Sequence, residues 1–207
     1  MSTKFHWNKM YNRPVETIPW EIERPPKELV NLILSGQIKP GKALDVACGT
    51  GNYSIYLANK MFDVVGVDYS KVAVSQAKLK AKKAGAKIKF LVYDVNLLGK
   101  KLKTKFDFIL DYSLLHHIPD SKIKNYARQF YKLLKPGGLL LLVCYNERDL
   151  YAKDKKQAIG KYGNVMYYRS AAEITNYYQD LKLIKYRRCR LGKRQQHLAH
   201  GFLFKKI

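Results

Sequence analysis

From position 43 onward, short apolar runs alternate with amphipathic stretches, and nothing else in the chain narrows the fold so far. "ALDVAC", "DVVGVD", "KIKFLVYD", "KFDFILDYS" and "LLLLVCY" read as five strands. The first two are separated by a helical pattern over 52–60. After Ser70, Ala73, Ala77, Ala81 and Ala84 repeat at helical spacing, with Ser70 as N-cap and Gly85 as stop. Ser121 is expected to cap a helix reaching Leu134, which "KPGG" ends. Strands joined through helices imply right-handed crossovers and a parallel sheet. Two more strands, near 183–189 and 198–204, meet at the basic turn "LGKRQQ" like a hairpin. The expected fold is α/β and doubly wound. Its seven-stranded sheet is mostly parallel, with an antiparallel edge strand.

The 207 residues fit one domain with a proper core. Residues 1–40 are broken by Pro14, Pro19, Pro25, Pro26 and Pro40 and read as an extension or lid, with one short helix over 27–34. Residues 41–145 read as the ligand-binding core. Residues 146–207 read as an insertion, rich in polar and aromatic residues up to Tyr168, and a substrate-side part with a helix from Ser170 to about 179. No apolar run has the length of a membrane span, and the first residues lack the apolar core of a leader. Cys48, Cys144 and Cys189 are far apart and form no CxxC pair. The expectation is a cytoplasmic, reduced protein, monomer or homodimer, with no membrane partner.

Charge stands apart from this picture. Lys plus Arg number 39 against 16 acids, a net charge of +23. Between Lys71 and Lys105 eleven lysines accompany one acid, Asp94, and no acid follows Asp180. Such a surface attracts polyanions, nucleic acid included. It is equally what a solvated, lysine-rich composition produces.

In an open parallel sheet, ligands bind at the carboxyl ends of the strands. The residues there form an ordered series: Ala47-Cys48-Gly49-Thr50-Gly51, then Asp68-Tyr69, Asp94 and Asp111-Tyr112. The glycines fail the G-x-G-x-x-G register of a dinucleotide site, and no P-loop is present. An acid at Asp68 suits two ribose hydroxyls, and one at Asp94 suits an adenine amino group, with Tyr69 against the ring. These positions call for adenine and ribose without a phosphate. S-adenosylmethionine is such a ligand.

"LDVACGTGNYSIYLA", "VVGVDYS", "FLVYDV", "FDFILDYSLLHHIP" and "LLKPGGLLLL" occur in order over 42–145. The chain thereby resembles the class I S-adenosylmethionine-dependent methyltransferases, whose fold is Rossmann-like. Alanine at position 47 departs from the glycine often found there. The resemblance implies that Asp45, Ala47 and Gly49 frame the methionine end of the cofactor and that Gly51 lets the turn enter its helix. It places Asp68 on the ribose, Tyr69 beside the adenine, Asp94 and Val95 at the adenine edge, and Tyr112 near the sulfonium. Plainer roles exist for Asp45 and Asp94 in their own turns and for Tyr112 in packing. His116 and His117 are candidate general bases, although "HHIP" recurs in the family whatever the substrate. His197 and His200, three apart on a strand, face opposite sides and suggest no metal site.

Some acceptors are disfavoured. The Asn/Asp-Pro-Pro-aromatic motif of amino methylation is replaced by Asp111-Tyr112-Ser113-Leu114. The Pro-Cys pair of cytosine C5 chemistry and the paired glutamates of arginine methylation are absent. "RPVETIPWEIERPPKELV" resembles the lid of the thiopurine, halide/thiol and tellurite-resistance group of small-molecule methyltransferases. That resemblance makes Trp20 a cover, lets Arg24 meet a carboxylate, and implies a thiol, halide or chalcogen acceptor. Tyr145, Tyr151, Tyr167 and Tyr168 are candidate walls of a dry pocket. Two alternatives stay open: an RNA or protein substrate on the basic surface, and a cofactor-binding module without turnover.

Overall fold

The computed structural model describes residues 4–152 and 155–207, so two positions of the insertion and the first three of the extension lie outside the described residues. Its strands are β1 (Lys42–Val46), β2 (Asp63–Asp68), β3 (Lys89–Val92), β4 (Phe106–Tyr112), β5 (Leu134–Tyr145), β6 (Gln157–Ile159), β7 (Val165–Tyr167), β8 (Lys182–Leu191) and β9 (His197–Lys205). Seven of them form one sheet in the order β3-β2-β1-β4-β5-β9-β8. The first five are mutually parallel, and β9 pairs antiparallel with both β5 and β8, so the antiparallel pairings fall at the β9–β8 side of the sheet, with β9 itself one strand in from the edge. The strand order reverses between β1 and β4, which places the ligand crevice at their carboxyl ends.

The helices are α1 (Lys4–Tyr11), α2 (Lys27–Leu34), α3 (Asn52–Asn59), α4 (Lys71–Lys83), α5 (Leu98–Lys101), α6 (Asp120–Leu133) and α7 (Ala171–Tyr177). Alternate residues of β4 explain the layers. Phe108 and Leu110 meet Leu29, Leu32 and Leu57 of α2 and α3 on one face, and Ile109 meets Tyr126 and Phe130 of α6 on the other. A sheet covered on both faces needs continuous apolar runs, which β4 and β5 supply. The Ser70 side chain accepts from Ala73 N–H at 3.2 Å and caps α4 as read from the sequence. Ser170 and Glu173 form a reciprocal capping box on α7.

Three elements depart from expectation. Residues 4–11 are helical, where the extension was read as irregular up to 27. α1 has little amphipathic pattern of its own and is held by docking: Ser70 Oγ donates to Asn8 Oδ1 at 2.8 Å, and Gln76 Nε2 donates to the Tyr11 carbonyl at 2.8 Å. "KPGG" does not follow a helix that ends at Leu134. α6 stops at Leu133, and the four residues form a bulge within β5, where the register against β4 shifts between Phe106 and Phe108. The insertion carries its own hairpin, β6 with β7. No helix among the described residues is long and apolar enough to cross a membrane.

Candidate active site

After β1 the backbone turns through Ala47 (φ 55°), Gly49 (φ 54°) and Gly51 (φ 82°) into α3. The left-handed region costs an L-residue such as Ala47 about 1–2 kcal/mol, which explains the preference for glycine there. A Cβ on Gly49 would lie 2.3 Å from Glu21 Oε1 and 2.8 Å from the Tyr11 hydroxyl. The N-terminal segment therefore lies directly on the turn.

Glu21 anchors it. Its carboxylate accepts from Thr50 N–H at 3.2 Å, from the Thr50 hydroxyl, and from Asn52 Nδ2 at 3.2 Å. Asp68 accepts from Gly49 N–H at 2.9 Å and from Ser70 N–H at 2.8 Å. Asp45 accepts from Ser54 Oγ at 2.6 Å. All three acids are buried. Desolvation pushes Asp45 up to about 7 and Asp68 up to about 6, and the neighbouring carboxylates push in the same direction. From α4, Lys80 Nζ reaches Thr50 Oγ1 at 3.0 Å and Asn52 Oδ1 at 2.7 Å. Such a cluster is suited to receiving a cationic ligand.

The other cofactor-side residues divide. Tyr69 is half-buried, with the Lys4 ammonium 6.0 Å from its ring. Asp94 spends one oxygen on Asn96, accepting from its N–H at 2.8 Å and from Nδ2 at 2.7 Å, which makes it the cap of a short turn. Val95 is buried and its carbonyl accepts from Gln129 Nε2 at 3.0 Å. The Tyr112 ring meets Tyr53 edge-on at 5.3 Å and packs against the α2/α3 core. Asp111, on the opposite face, accepts from the Tyr126 hydroxyl at 2.9 Å and points away from the Tyr112 side.

Beyond the strand ends the chain assembles rings. Tyr162, Trp20, Trp7, His117, His116 and Tyr145 form an unbroken series. Its steps are 6.0, 5.5, 5.3, 4.5 and 3.8 Å between centroids. Trp20 Nε1–H donates to the Tyr11 hydroxyl at 3.1 Å, which pins the lid tryptophan beside the glycine turn. His117 Nδ1–H donates to the Val165 carbonyl at 3.1 Å, leaving Nε2 as an acceptor. Burial lowers its imidazole to about 4, although that bond acts against the shift. His116 Nδ1 accepts from Tyr145 N–H at 3.4 Å, and burial holds its imidazole well below the usual range. Both rings are thus neutral near pH 7 and weak as bases.

Tyr168 is buried and stacks on Tyr145 at 6.0 Å. Tyr151 is 54% exposed. Tyr167 lies under the Arg169 guanidinium at 5.2 Å, and Arg24 is exposed; neither joins the ring series. Arg169 itself is buried and donates to the Leu115 and Ile118 carbonyls and to Asp120, which fixes the turn carrying both histidines. His197 and His200 do point to opposite faces, toward Asp149 and Glu147 respectively. Among the described residues, no group of three His, Cys, Asp or Glu is arranged to hold a metal.

Residues 43–138 match the family described as "Methyltransferase domain" (Methyltransf_25). The "Probable thiol methyltransferase 2" of Arabidopsis thaliana is 29% identical over 139 residues, covering 67% of this chain and 61% of that protein. Over that segment the chain is similar to the class I S-adenosylmethionine-dependent methyltransferases. Two solved structures share the fold of this chain. One, from work on conversion of a disulfide bond into a thioacetal group during echinomycin biosynthesis, has a TM-score of 0.81 at 22% identity and covers 99% of this chain and 93% of its own. The other is the Burkholderia thailandensis 1,6-didemethyltoxoflavin-N1-methyltransferase, solved with its acceptor and S-adenosylhomocysteine. It has a TM-score of 0.72 at 16% identity, covering 100% of this chain and 91% of that one. The chain spans 61, 56 and 44% of the length of three curated relatives it matches.

S-adenosylmethionine, the cofactor that this similarity implies, fits the residues present. It carries an ammonium and a sulfonium, and the turn offers three buried carboxylates and a backbone with no side chain at Gly49. Four residues of this site escaped the sequence reading: Trp7, Tyr11, Glu21 and Tyr162. Glu21 had a signal, since it follows Pro19 and Trp20 in the segment that resembles a lid. Trp7 and Tyr162 had none, because their proximity to Trp20 is purely tertiary.

Proposed function

We propose that this methyltransferase moves the methyl group of S-adenosylmethionine to a small-molecule acceptor enclosed by its own rings. The ring series from Tyr162 to Tyr145 carries the reading. It draws on α1, the lid, the 3-10 turn Leu115–His117, the end of β5 and the β6–β7 hairpin, and so walls the acceptor side with side chains instead of leaving an open track. Bound S-adenosylmethionine supplies a methyl group on an electron-poor sulfur. In this reading Asp45, Glu21, Ala47 and Gly49 hold the methionine end, Asp68 the ribose and Tyr69 the adenine. The rings exclude water and align the acceptor, which is most of what methyl transfer requires. A thiol, halide or chalcogen acceptor is the finer form, supported by the apolar walls and by the weak basicity of His116 and His117.

The test is turnover of labelled S-adenosylmethionine with thiols, halides, chalcogen oxyanions and total RNA, read as S-adenosylhomocysteine. Turnover with a small acceptor supports the proposal. Turnover with RNA alone, weakening steeply with salt, overturns it and makes the basic surface a substrate track.

A further inference from the structure

A second titratable cluster lies at the same rim of the sheet. β9 runs antiparallel to β5, with Tyr145 opposite Ala199. His197 therefore projects two residues past the end of β5, at the end where the strands present their ligands. Its side chain shares a face with Tyr145 and stacks on that ring at 4.6 Å and 24°; Tyr151 closes the other side at 4.8 Å. The imidazole is 14% exposed, so it is sheltered yet reachable.

What distinguishes His197 from His116 and His117 is its carboxylate. Asp149 Oδ1 and Oδ2 each lie 3.4 Å from His197 Nδ1. Asp149 is itself fixed, accepting from Leu198 N–H at 2.7 Å and Tyr151 N–H at 3.0 Å. Burial would raise its carboxyl, but the bonds from His197 and these backbone donors hold it below the usual carboxylate range, so it is ionised near pH 7. An ionised acceptor at Nδ1 selects the tautomer with its lone pair on Nε2 and stabilises the imidazolium that forms when Nε2 takes a proton. In the same stack, the Tyr168 hydroxyl is buried with no hydrogen-bond partner among the described residues, a group that a bound ligand or water would satisfy.

We propose that His197, positioned by Asp149, is the general base of this methyltransferase and that its acceptors carry a weakly acidic proton on the attacking atom, as a neutral thiol does. The proposal rests on the small-molecule reading above. Nε2 of His197 takes the S–H proton and the sulfur keeps the electron pair. That pair forms the new carbon–sulfur bond as the methyl–sulfonium bond breaks, leaving S-adenosylhomocysteine; the proton then passes to solvent. A halide has no proton to lose and gains nothing from such a base. His197 would be a catalytic residue and Asp149 a positioning residue.

Three probes separate the roles: 2-mercaptoethanol, protonated near pH 7; thiophenol, largely ionised there; and iodide. Cofactor binding by calorimetry and the thermal midpoint control for folding. His197→Gln is expected to lower 2-mercaptoethanol turnover about 100-fold or more, the usual size of a general-base contribution. Thiophenol and iodide should change less than about threefold, and raising the pH toward the thiol's own ionisation should restore the variant. The groups facing the His197 ring are Asp149, Tyr151, Tyr145 and, past Tyr145, His116, with Leu191 opposite it on β8. Asp149→Asn should lower 2-mercaptoethanol turnover while thiophenol and iodide change less than about threefold, with Asp149→Glu restoring part of the loss. Equal losses with all three probes in His197→Gln, or no loss with 2-mercaptoethanol, would overturn the proposal. So would wild-type turnover of thiophenol or iodide without 2-mercaptoethanol, which leaves the small-molecule reading standing. A wild type that binds cofactor but methylates none of the three defeats both.

Discussion

The two halves of the site are made of different materials. The half proposed for the cofactor is acids and backbone around one turn: Glu21, Asp45 and Asp68 around the loop from Ala47 to Gly51. The half proposed for the acceptor is rings and imidazoles: Trp7, Trp20, His116, His117, Tyr145 and Tyr162. A cationic ligand is bound by charge at short range, which needs fixed carboxylates and amides. A dry pocket needs shape, which side chains from many segments provide. The first half therefore tolerates little change, and the second can vary without touching the first.

The largest effect expected from this contrast is in the cofactor half. Asp68→Ala removes the carboxylate proposed to accept from both ribose hydroxyls, two charge-assisted bonds worth ~1.5–3 kcal/mol each, and should weaken cofactor binding about 100-fold or more by calorimetry. Binding that survives would break the assignment of the acids to the cofactor. In the acceptor half the strongest fixed point is Arg169. Arg169→Met strands the Leu115 and Ile118 carbonyls and should cost roughly 2–4 kcal/mol of stability in denaturant unfolding. Cofactor binding measured below the transition should be unchanged, since Arg169 touches none of the glycine turn.

Glu21 belongs to the lid by sequence and to the cofactor half by contact. Glu21→Gln keeps the size and removes the charge, and should weaken the cofactor about tenfold, less than Asp68→Ala. An effect confined to acceptor KM would move Glu21 to the other half.

Asp45 gives a pH test of the same idea. Its folded value of about 7 lies above the unperturbed 3.8, so the folded state binds the proton more tightly. The stability this confers is present at acid pH and is lost as pH rises through about 7. Asp45→Asn does not titrate, so its melting temperature relative to wild type should be higher at pH 8 than at pH 5. In a chain of this size each 1 kcal/mol corresponds to roughly 2–4 °C. A gap that stays constant between pH 5 and pH 8 would mean that Asp45 is held ionised throughout.

The smallest effect is at Ala47. Ala47→Gly relieves the left-handed strain of about 1–2 kcal/mol and returns ~0.5–1 kcal/mol of it as unfolded-chain entropy, for a gain under ~1 kcal/mol in denaturant unfolding.

The contrast also explains what the sequence could show. The glycine turn, Asp45 and Asp68 were legible because each sits at the end of a strand whose apolar run announces it. Ser70 and Ser170 were legible because capping is local. Trp7, Tyr11 and Tyr162 were not, since each acts only through a neighbour distant in the chain. α1 was missed for the same reason: its helix depends on Ser70 and Gln76, not on its own periodicity. Arg24 and Tyr167 fit the lid and the insertion by composition, but their places in the fold lead outward. The bulge at Lys135–Gly138 was read as a helix stop because proline and glycine signal a break without saying which element they break.

The position of β9 has a consequence for how the molecule comes into being. β8 precedes β9 in the chain but lies outside it in the sheet, so β8 emerges from the ribosome before β9, its one partner strand among the described residues, exists. The sheet can form through β5 first, and β8 joins it only once β9 is there to insert between them. His197 arrives with that last insertion. A growing chain can thus own a finished cofactor turn well before it owns an acceptor pocket.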